Sequence, residues 1–299
     1  MRTLVIFGSY LAYVFVLGSF IAYPLYELVQ WLFPEGSYIA EKSFGKVANR
    51  GYMLVAAIGL YPLWKAFDCQ NKKDLGFDIS RADFYKEAKV GLVYGIFSLV
   101  ALAFLIVTLG IRPLEYDATF TKGLMAVIKF IPGALALALI EEIFFRGILL
   151  RSMSRTLSPA RAIIITSIIF SSVHFLRNKT DGTMTELHWL SGFEYLNTTL
   201  INYTDPKIIG SWLTLFACGV FLSFLSLHHG NIARCIGVHL GWVLILRIVK
   251  KLTDDDQKSP YFWMVGSYDK ITGYLSFFII TIMCFCLWFF CYRKKPATT

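Results

Sequence analysis

The stretch Gly123–Leu150, GLMAVIKFIPGALALALIEEIFFRGILL, decides the fold of this chain. It is long and almost wholly apolar, and a helix that crosses the hydrocarbon core of a bilayer needs about 20 such residues. Its ionisable side chains are Lys129, Glu141, Glu142 and Arg146, and the last three lie close together near one end. The stretch therefore predicts a membrane-spanning helix that carries polar groups where they are costly.

The composition extends this prediction to the whole chain of 299 residues, which is 56% hydrophobic and only 16% charged. Average soluble chains carry roughly 25% charged residues, so a soluble protein with this composition would lack the polar side chains that cover a surface. A bilayer, in contrast, accepts an apolar outer surface. We therefore predict an all-α fold, a multi-pass bundle of transmembrane helices that forms one integral membrane domain over residues 1–299.

About eight segments are long and apolar enough to be predicted as spans. The first of them follows Met1 and Arg2 without a convincing small-residue cleavage site, so we expect an uncleaved span rather than a signal peptide. The eight predicted spans are Thr3–Phe33, Gly51–Phe67, Val90–Ile111, Gly123–Leu150, Ala160–Leu176, Ile209–Leu227, Asn231–Val249 and Thr272–Tyr292.

Lysine and arginine in the short loops predict the orientation of the bundle. The loops Lys72–Lys89 and Arg151–Arg161 and the tail Arg293–Lys295 are rich in basic residues. Eight spans place all three on one side, so both termini are expected in the cytoplasm, and the membrane would be the plasma or inner membrane in a bacterium. The net charge of +9 is scattered beside the spans, which favours membrane lipids over nucleic acid as the partner.

The charged groups inside the fourth predicted span need an explanation, because each costs roughly 3 kcal/mol at the bilayer centre. Glu142 and Arg146 are four positions apart with the acid first, which favours an ion pair on one helix face. Glu141 points about 100° away from Glu142, so the two carboxylates are not expected to share one partner. The alternative is a group at the helix end whose charges extend to the membrane surface.

Two histidines lie in other predicted spans. Phe170 precedes His174 by one helical turn, so its ring can pack over the imidazole. His239 lies about midway along its span, between small residues that permit close helix contact. Each histidine alone is also compatible with a packing residue that makes one hydrogen bond.

A carboxylate and two imidazoles from separate spans are the minimum set for activating water. Glu141 can accept a proton, one of the histidines His174 and His239 can hold the water, and the other can donate to the developing oxyanion. The same three groups could instead bind zinc. No His-Glu-x-x-His motif is present, and the residues alone leave both alternatives open.

At these residues the sequence resembles the CPBP family of intramembrane proteases, which includes CAAX prenyl endopeptidases and bacteriocin-processing enzymes. Glu141-Glu142-x-x-x-Arg146 matches the EExxxR motif of the family, and Phe170-x-x-x-His174 matches its FxxxH motif. The Gly-Asn-Ile run that leads to His239 resembles the third block. The resemblance covers residues 123–249, which we interpret as the catalytic core.

The resemblance implies a glutamic peptidase, and its motifs assign roles by position. Glu141 would be the base that activates water with His174 as its partner, and His239 would help to form the oxyanion hole. Glu142 would be the second catalytic acid. The residues expected to support the site are Arg146 and Phe170. The resemblance implies no metal and no other cofactor.

One position departs from the family pattern. Asn often stands four residues after the third-block histidine, whereas this chain has Val243. Removing one oxyanion donor typically costs about 10²–10³ in rate, which leaves room for a catalytically weak maturation or immunity factor. Our leading hypothesis is an endopeptidase that hydrolyses a peptide bond near the cytoplasmic side. Its substrate would be a peptide or protein, and the resemblance allows it to be lipidated or membrane-anchored.

Overall fold

The computed structural model describes residues 2–67, 71–176, 186–201 and 205–292. Within these residues the only pairing of strand type is an isolated bridge between Leu114 and Thr253, so the all-α prediction is confirmed. A π-helical segment, Ile143–Leu149, joins two α-helices. The α-helices of the described residues are α1 (Arg2–Leu32), α2 (Phe44–Ala66), α3 (Arg81–Thr108), α4 (Phe120–Glu142), α5 (Leu150–Ser154), α6 (Pro159–Val173), α7 (Ser191–Ile201), α8 (Ile209–His229), α9 (Ala233–Leu252) and α10 (Tyr274–Tyr292).

Five helical stretches in the described part of the chain have the length and hydropathy of a membrane span. In four of them most of the apolar window is exposed, and in α10 only 11% of it is buried, whereas 56% of the window of Pro206–His229 is buried. Such an outer surface suits lipid, so the chain is an integral multi-pass membrane protein. The five stretches are Arg2–Leu32, Arg81–Thr108, Phe120–Ser154, Pro206–His229 and Tyr274–Cys291.

The other three predicted spans correspond to α2, α6 and α9. All three form helices, but α6 is shorter than 18 residues, and α9 carries Lys250 and Lys251 in its last turn. The total of eight spans therefore stays a prediction.

The chain divides into two compact units. The first consists of Met1–Gln70 and Ser172–Pro206, and the second of Asn71–Ser171 and Lys207–Thr299. The second unit thus contains α3 to α5, most of α6, and α8 to α10. The prediction that residues 1–299 act as one domain stays a prediction.

In the first unit, α1, α2 and α7 surround a small core. The hydroxyl group of Tyr52 donates to the Gly192 carbonyl at 3.0 Å and lies 2.6 Å from Ser19 Oγ. One side chain therefore connects all three helices. The buried side chains around it are Ala22, Phe44, Ala48 and Tyr195.

In the second unit, α9 lies closely against α3. Small residues let helix backbones approach one another in a membrane. Trp242 of α9 also donates its indole N–H to Ser98 Oγ of α3 at 2.9 Å, which fixes the rotation of α9 about its axis. The direction in which His239 points follows from this pairing, because it lies on the same helix. The glycines at the contact, where a Cβ atom would collide with the facing backbone, are Gly91, Gly95, Gly237 and Gly241.

Two loops meet at one end of the second unit. Arg155, which follows α5, forms an ion pair with Asp74 at 2.5 Å. Arg151 donates to the Gly230 carbonyl at 2.7 Å, in the turn between α8 and α9. We call this end of the unit the Arg151 end. The two basic loops therefore lie together, as the predicted topology requires, while the side of the membrane that they face stays a prediction.

Candidate active site

The long helix that starts with α4 changes its hydrogen-bonding pattern directly after the two glutamates. α4 ends at Glu142, Ile143–Leu149 form the π-helical segment, and the α-helix resumes at Leu150. Isolated π-helical turns are rare and often lie at functional sites. Gly147 is required here, because a Cβ atom at this position would lie 2.8 Å from the Leu75 carbonyl oxygen. The π-helical turn also alters the faces on which the residues after Glu142 lie.

The ion pair predicted from the spacing of Glu142 and Arg146 forms. Arg146 Nη1 lies 2.8 Å from Glu142 Oε1, and the exposed fractions of the two side chains are 1% and 0%. A guanidinium that extended to the membrane surface would be exposed, so the alternative of a helix-end group is wrong for Arg146. The pair is instead part of the protein interior.

His239 of α9 lies between the two glutamates. Its Nδ1 atom is 2.7 Å from Glu142 Oε1, and its Nε2 atom is 3.8 Å from Glu141 Oε2. The prediction that the two carboxylates do not share a partner is therefore wrong. Adjacent helical side chains do diverge, but an imidazole has nitrogen atoms on two edges, and a ring from a neighbouring helix can face both carboxylates.

The surroundings of His239 select its tautomer. Glu142 forms an ion pair with Arg146, so it is a carboxylate, and a carboxylate only accepts hydrogen bonds. The Nδ1 atom of His239 therefore donates to Glu142. In the neutral ring the Nε2 atom then has no hydrogen and can accept one, and this atom faces Glu141.

Phe170 packs against the charged cluster. The Arg146 guanidinium carbon lies 4.4 Å from the centre of the Phe170 ring, a distance typical of a cation–π contact. The rings of Phe170 and His239 meet edge to face with their centres 6.4 Å apart, and Phe145 packs on Phe170 at 5.0 Å. Phe170 thus covers the ion pair and the histidine with apolar surface.

His174 lies just beyond the end of α6, which ends at Val173, and its side chain is half-buried. It belongs to the first unit, whereas Phe170 belongs to the second. The second unit therefore brings together Glu141, Glu142, Arg146, Phe170 and His239. The assignment of His174 to the same site stays a prediction.

Val243 lies one turn after His239 on α9 and is half-buried. Its side chain has no hydrogen-bonding atom, so it cannot supply the donor that Asn provides in the family pattern. Its neighbour Trp242 directs the indole N–H toward Ser98 and not toward the glutamates.

A carboxylate and two histidines are a possible set of zinc ligands. Among the residues that the structure describes, no group of three or more His, Cys, Asp or Glu side chains has the arrangement of a metal site. The expectation that the protein contains no metal stays a prediction, which a measurement of its metal content would test.

Residues 123–245 match the model of the Rce1-like family, described as type II CAAX prenyl endopeptidase Rce1-like. The match covers the segment from α4 to α9 that carries the cluster of Glu141, Glu142, Arg146 and His239, and it confirms the resemblance to CPBP and CAAX proteases. The matched segment is therefore similar to CAAX-type intramembrane proteases, which are peptide hydrolases. Neither the curated proteins nor the solved structures gave a match.

Proposed function

We propose that the chain cleaves a peptide bond near the cytoplasmic side of the membrane, with a water molecule that Glu141 and His239 activate. One observation carries the proposal. His239 lies between two glutamates, hydrogen-bonded to Glu142 at 2.7 Å and 3.8 Å from Glu141. The Arg146 guanidinium balances the charge of Glu142, and we assign the proton-accepting role to Glu141, which faces the other nitrogen of the ring.

Glu142 acts as the orienting group. A carboxylate that accepts the Nδ1–H of a histidine fixes the tautomer and the direction of the ring, as in hydrolases with an acid–histidine pair. The Nε2 atom of His239 is then an acceptor that faces Glu141. As an oxyanion donor, which the resemblance implies, His239 would need protons on both nitrogens.

The gap between His239 Nε2 and Glu141 Oε2 suits a bridging water. At 3.8 Å the two atoms are too far apart for a direct hydrogen bond, and a water beside the gap can donate one hydrogen to each. Glu141 accepts a proton as the water oxygen attacks the peptide carbonyl carbon. The protonated Glu141 then gives this proton to the leaving amine, the C–N bond breaks, and a carboxylic acid and an amine remain, so that Glu141 is again a carboxylate.

The family supports a peptide or protein substrate. The site lies in a bundle with an apolar outer surface, so a substrate that enters from the lipid, with a lipid group or a membrane segment, suits it. Membrane lipids are the other expected partners.

Replacement of Glu141 in cells tests the proposed function. In cells that carry Glu141→Gln, membrane peptides that are normally cleaved should accumulate, and mass spectrometry identifies them. Glu194→Gln is the matched control, because Glu194 is an exposed glutamate of α7 whose partner is His188. If Glu141→Gln supports the full cellular phenotype, the chain acts as a binding partner and the proposal is wrong.

The zinc alternative needs a separate measurement, because loss of a ligand would also abolish activity. The proposal predicts that purified protein contains no stoichiometric zinc and that activity persists after prolonged chelation. Stoichiometric zinc together with chelator-sensitive activity would instead identify these side chains as ligands.

A further inference from the structure

Four side chains of the second unit have buried polar atoms without a hydrogen-bond partner among the described residues. Their exposed fractions are between 0% and 1%. Buried polar atoms in native proteins nearly always bond to protein or to ordered water, so these atoms require a partner from outside the chain. The atoms are Glu142 Oε2, Arg146 Nε and Nη2, Ser167 Oγ and Ser226 Oγ.

The two serines differ from other buried hydroxyl groups in the same unit. A serine or threonine in a helix commonly donates to the carbonyl of the preceding turn. Thr166 donates to Ala162 at 2.8 Å, and Ser171 donates to Ile168 at 3.0 Å. Ser167 and Ser226 have no such bond, so their hydroxyl groups keep both their donor and their acceptor capacity for another partner.

Ser167 lies near Arg146 and Phe170 of the charged cluster. It packs on α8 at Gly219, where a Cβ atom would lie 3.0 Å from Ser167 Oγ. It precedes Phe170 by one turn of α6, and Arg146 stacks on the ring of Phe170. Ser167 therefore lies on the α6 face that meets both α8 and the ion pair.

Ser226 lies closer to the Arg151 end. Cys235 of α9 donates to the carbonyl of Leu222 on α8 at 3.2 Å, which identifies the face of α8 that is turned toward α9. Ser226 lies one turn further along this face. Ser226 precedes Gly230 by four residues, which is about 6 Å along a helix. Arg146 precedes Arg151 by five residues, so both side chains lie at a similar distance from the Arg151 end.

We propose that these atoms bind a file of water molecules that leads from the Arg151 end, past Ser226 and Arg146, to Ser167 and Glu142. The donor and acceptor inventory fits water: guanidinium N–H groups donate, the carboxylate oxygen accepts, and each hydroxyl does both. A buried water needs two to four such partners. Under the function proposed above, on which this role rests, each cleavage consumes one water, and the file supplies it inside a bilayer that has no water of its own.

Hydroxyl-radical footprinting on the intact protein tests this file. Radiolysis turns bound water into hydroxyl radicals, which oxidise adjacent side chains even when these are buried. Phe170 and Cys235 flank the file and have exposed fractions of 3% and 0%, so their oxidation in the wild-type protein reports internal water. In Ser167→Val and Ser226→Val their labelling should fall about tenfold, because a buried water needs two to four polar partners and each variant removes one.

Ser171→Val is the matched control, because Ser171 is as deeply buried on α6 but bonds to its own helix. It should leave the labelling of Phe170 and Cys235 unchanged. Ser167→Ala and Ser226→Ala, which add no bulk, serve if a valine variant does not fold, and the same loss of labelling is expected. Absence of labelling in the wild type, or an equal loss in Ser171→Val, would overturn the proposal.

The footprint does not depend on turnover. Glu141→Gln should keep the full labelling of Phe170 and Cys235 while it loses activity. A wild type without labelling in which Glu141→Gln still abolishes cleavage would reject the water file and leave the proposed function intact. Full labelling together with an active Glu141→Gln protein would reject the proposed function alone.

Discussion

His239 Nδ1 lies 2.7 Å from Glu142 Oε1, although the two residues are 97 positions apart in the chain. The same carboxylate oxygen accepts a hydrogen bond from Arg146 Nη1 at 2.8 Å. One buried oxygen therefore joins the two-glutamate motif to the third-block histidine. The orientation of the imidazole, and with it the acid–base chemistry of the site, depends on this contact.

Arg146→Leu should strongly destabilise the protein. Removing one partner of a buried ion pair leaves the other charge without compensation, which commonly costs about 3–5 kcal/mol. Thermal unfolding in detergent and the yield of folded protein measure the effect. Arg155→Leu is the matched control, because the side chain of Arg155 is 46% exposed and exposed pairs contribute about 1 kcal/mol or less. Equal stability of the two variants would contradict the buried pair.

Replacing both members of the pair should separate stability from activity. Glu142→Met with Arg146→Met removes both buried charges, and apolar replacements of buried pairs are often neutral or stabilising. The double variant should melt closer to the wild type than Arg146→Leu does. Its kcat should still fall by at least about 10²-fold, since His239 loses its orienting carboxylate. A stable double variant with wild-type kcat would show that Glu142 does not orient the histidine.

Val243→Asn should raise kcat. It places an amide donor one turn after His239, where the family pattern often has Asn, and one oxyanion donor is worth about 10²–10³ in rate. Ile245→Asn is the control, because Ile245 is also half-buried on α9 but lies on another face. If the two variants have the same effect on kcat, Val243 does not face the reacting group.

The orientation of the bundle is tested by reporter fusions. Fusions after Arg155 and after Tyr292 should both report cytoplasm, because the loop with Arg155 and the basic tail are predicted on one side. The pairing of Arg155 with Asp74 supports a common location for the two basic loops. Reporters on opposite sides would contradict the eight-span topology.

Hydropathy predicts most of the helices because each span must satisfy its own backbone and present an apolar surface to lipid. All eight predicted segments contain a helix, with shifted ends. α3 starts at Arg81, nine residues before the predicted Val90. The residues between them are helical but include charged side chains, so hydropathy alone does not assign them to the span. α7 was not predicted, since its polar residues Glu194 and Asn197 lower the hydropathy of the segment, although its other face packs on α1.

The pair of Glu142 and Arg146 was predictable because both residues belong to one helix with known spacing. The position of His239 between the two glutamates was not, since it depends on how α9 packs on α3 and α4. The π-helical segment gave no signal in the sequence. Ser167 and Ser226 gave none either, because small hydroxyl side chains are common in apolar helices and only their missing hydrogen bonds distinguish them.

The central claim is that Glu141 and His239 act on the same water molecule, and a double-mutant cycle in kcat tests it most directly. Glu141→Gln and His239→Gln each keep a hydrogen-bonding amide but cannot take a proton at neutral pH, so each should lower kcat by at least about 10²-fold. His228→Gln, at the end of α8, is the control and should keep wild-type activity. Since residues that act as a unit are strongly non-additive, the account predicts that the double variant is no slower than the slower single variant. A double variant whose loss equals the product of the two single losses, or a His239→Gln protein with wild-type kcat, would contradict it.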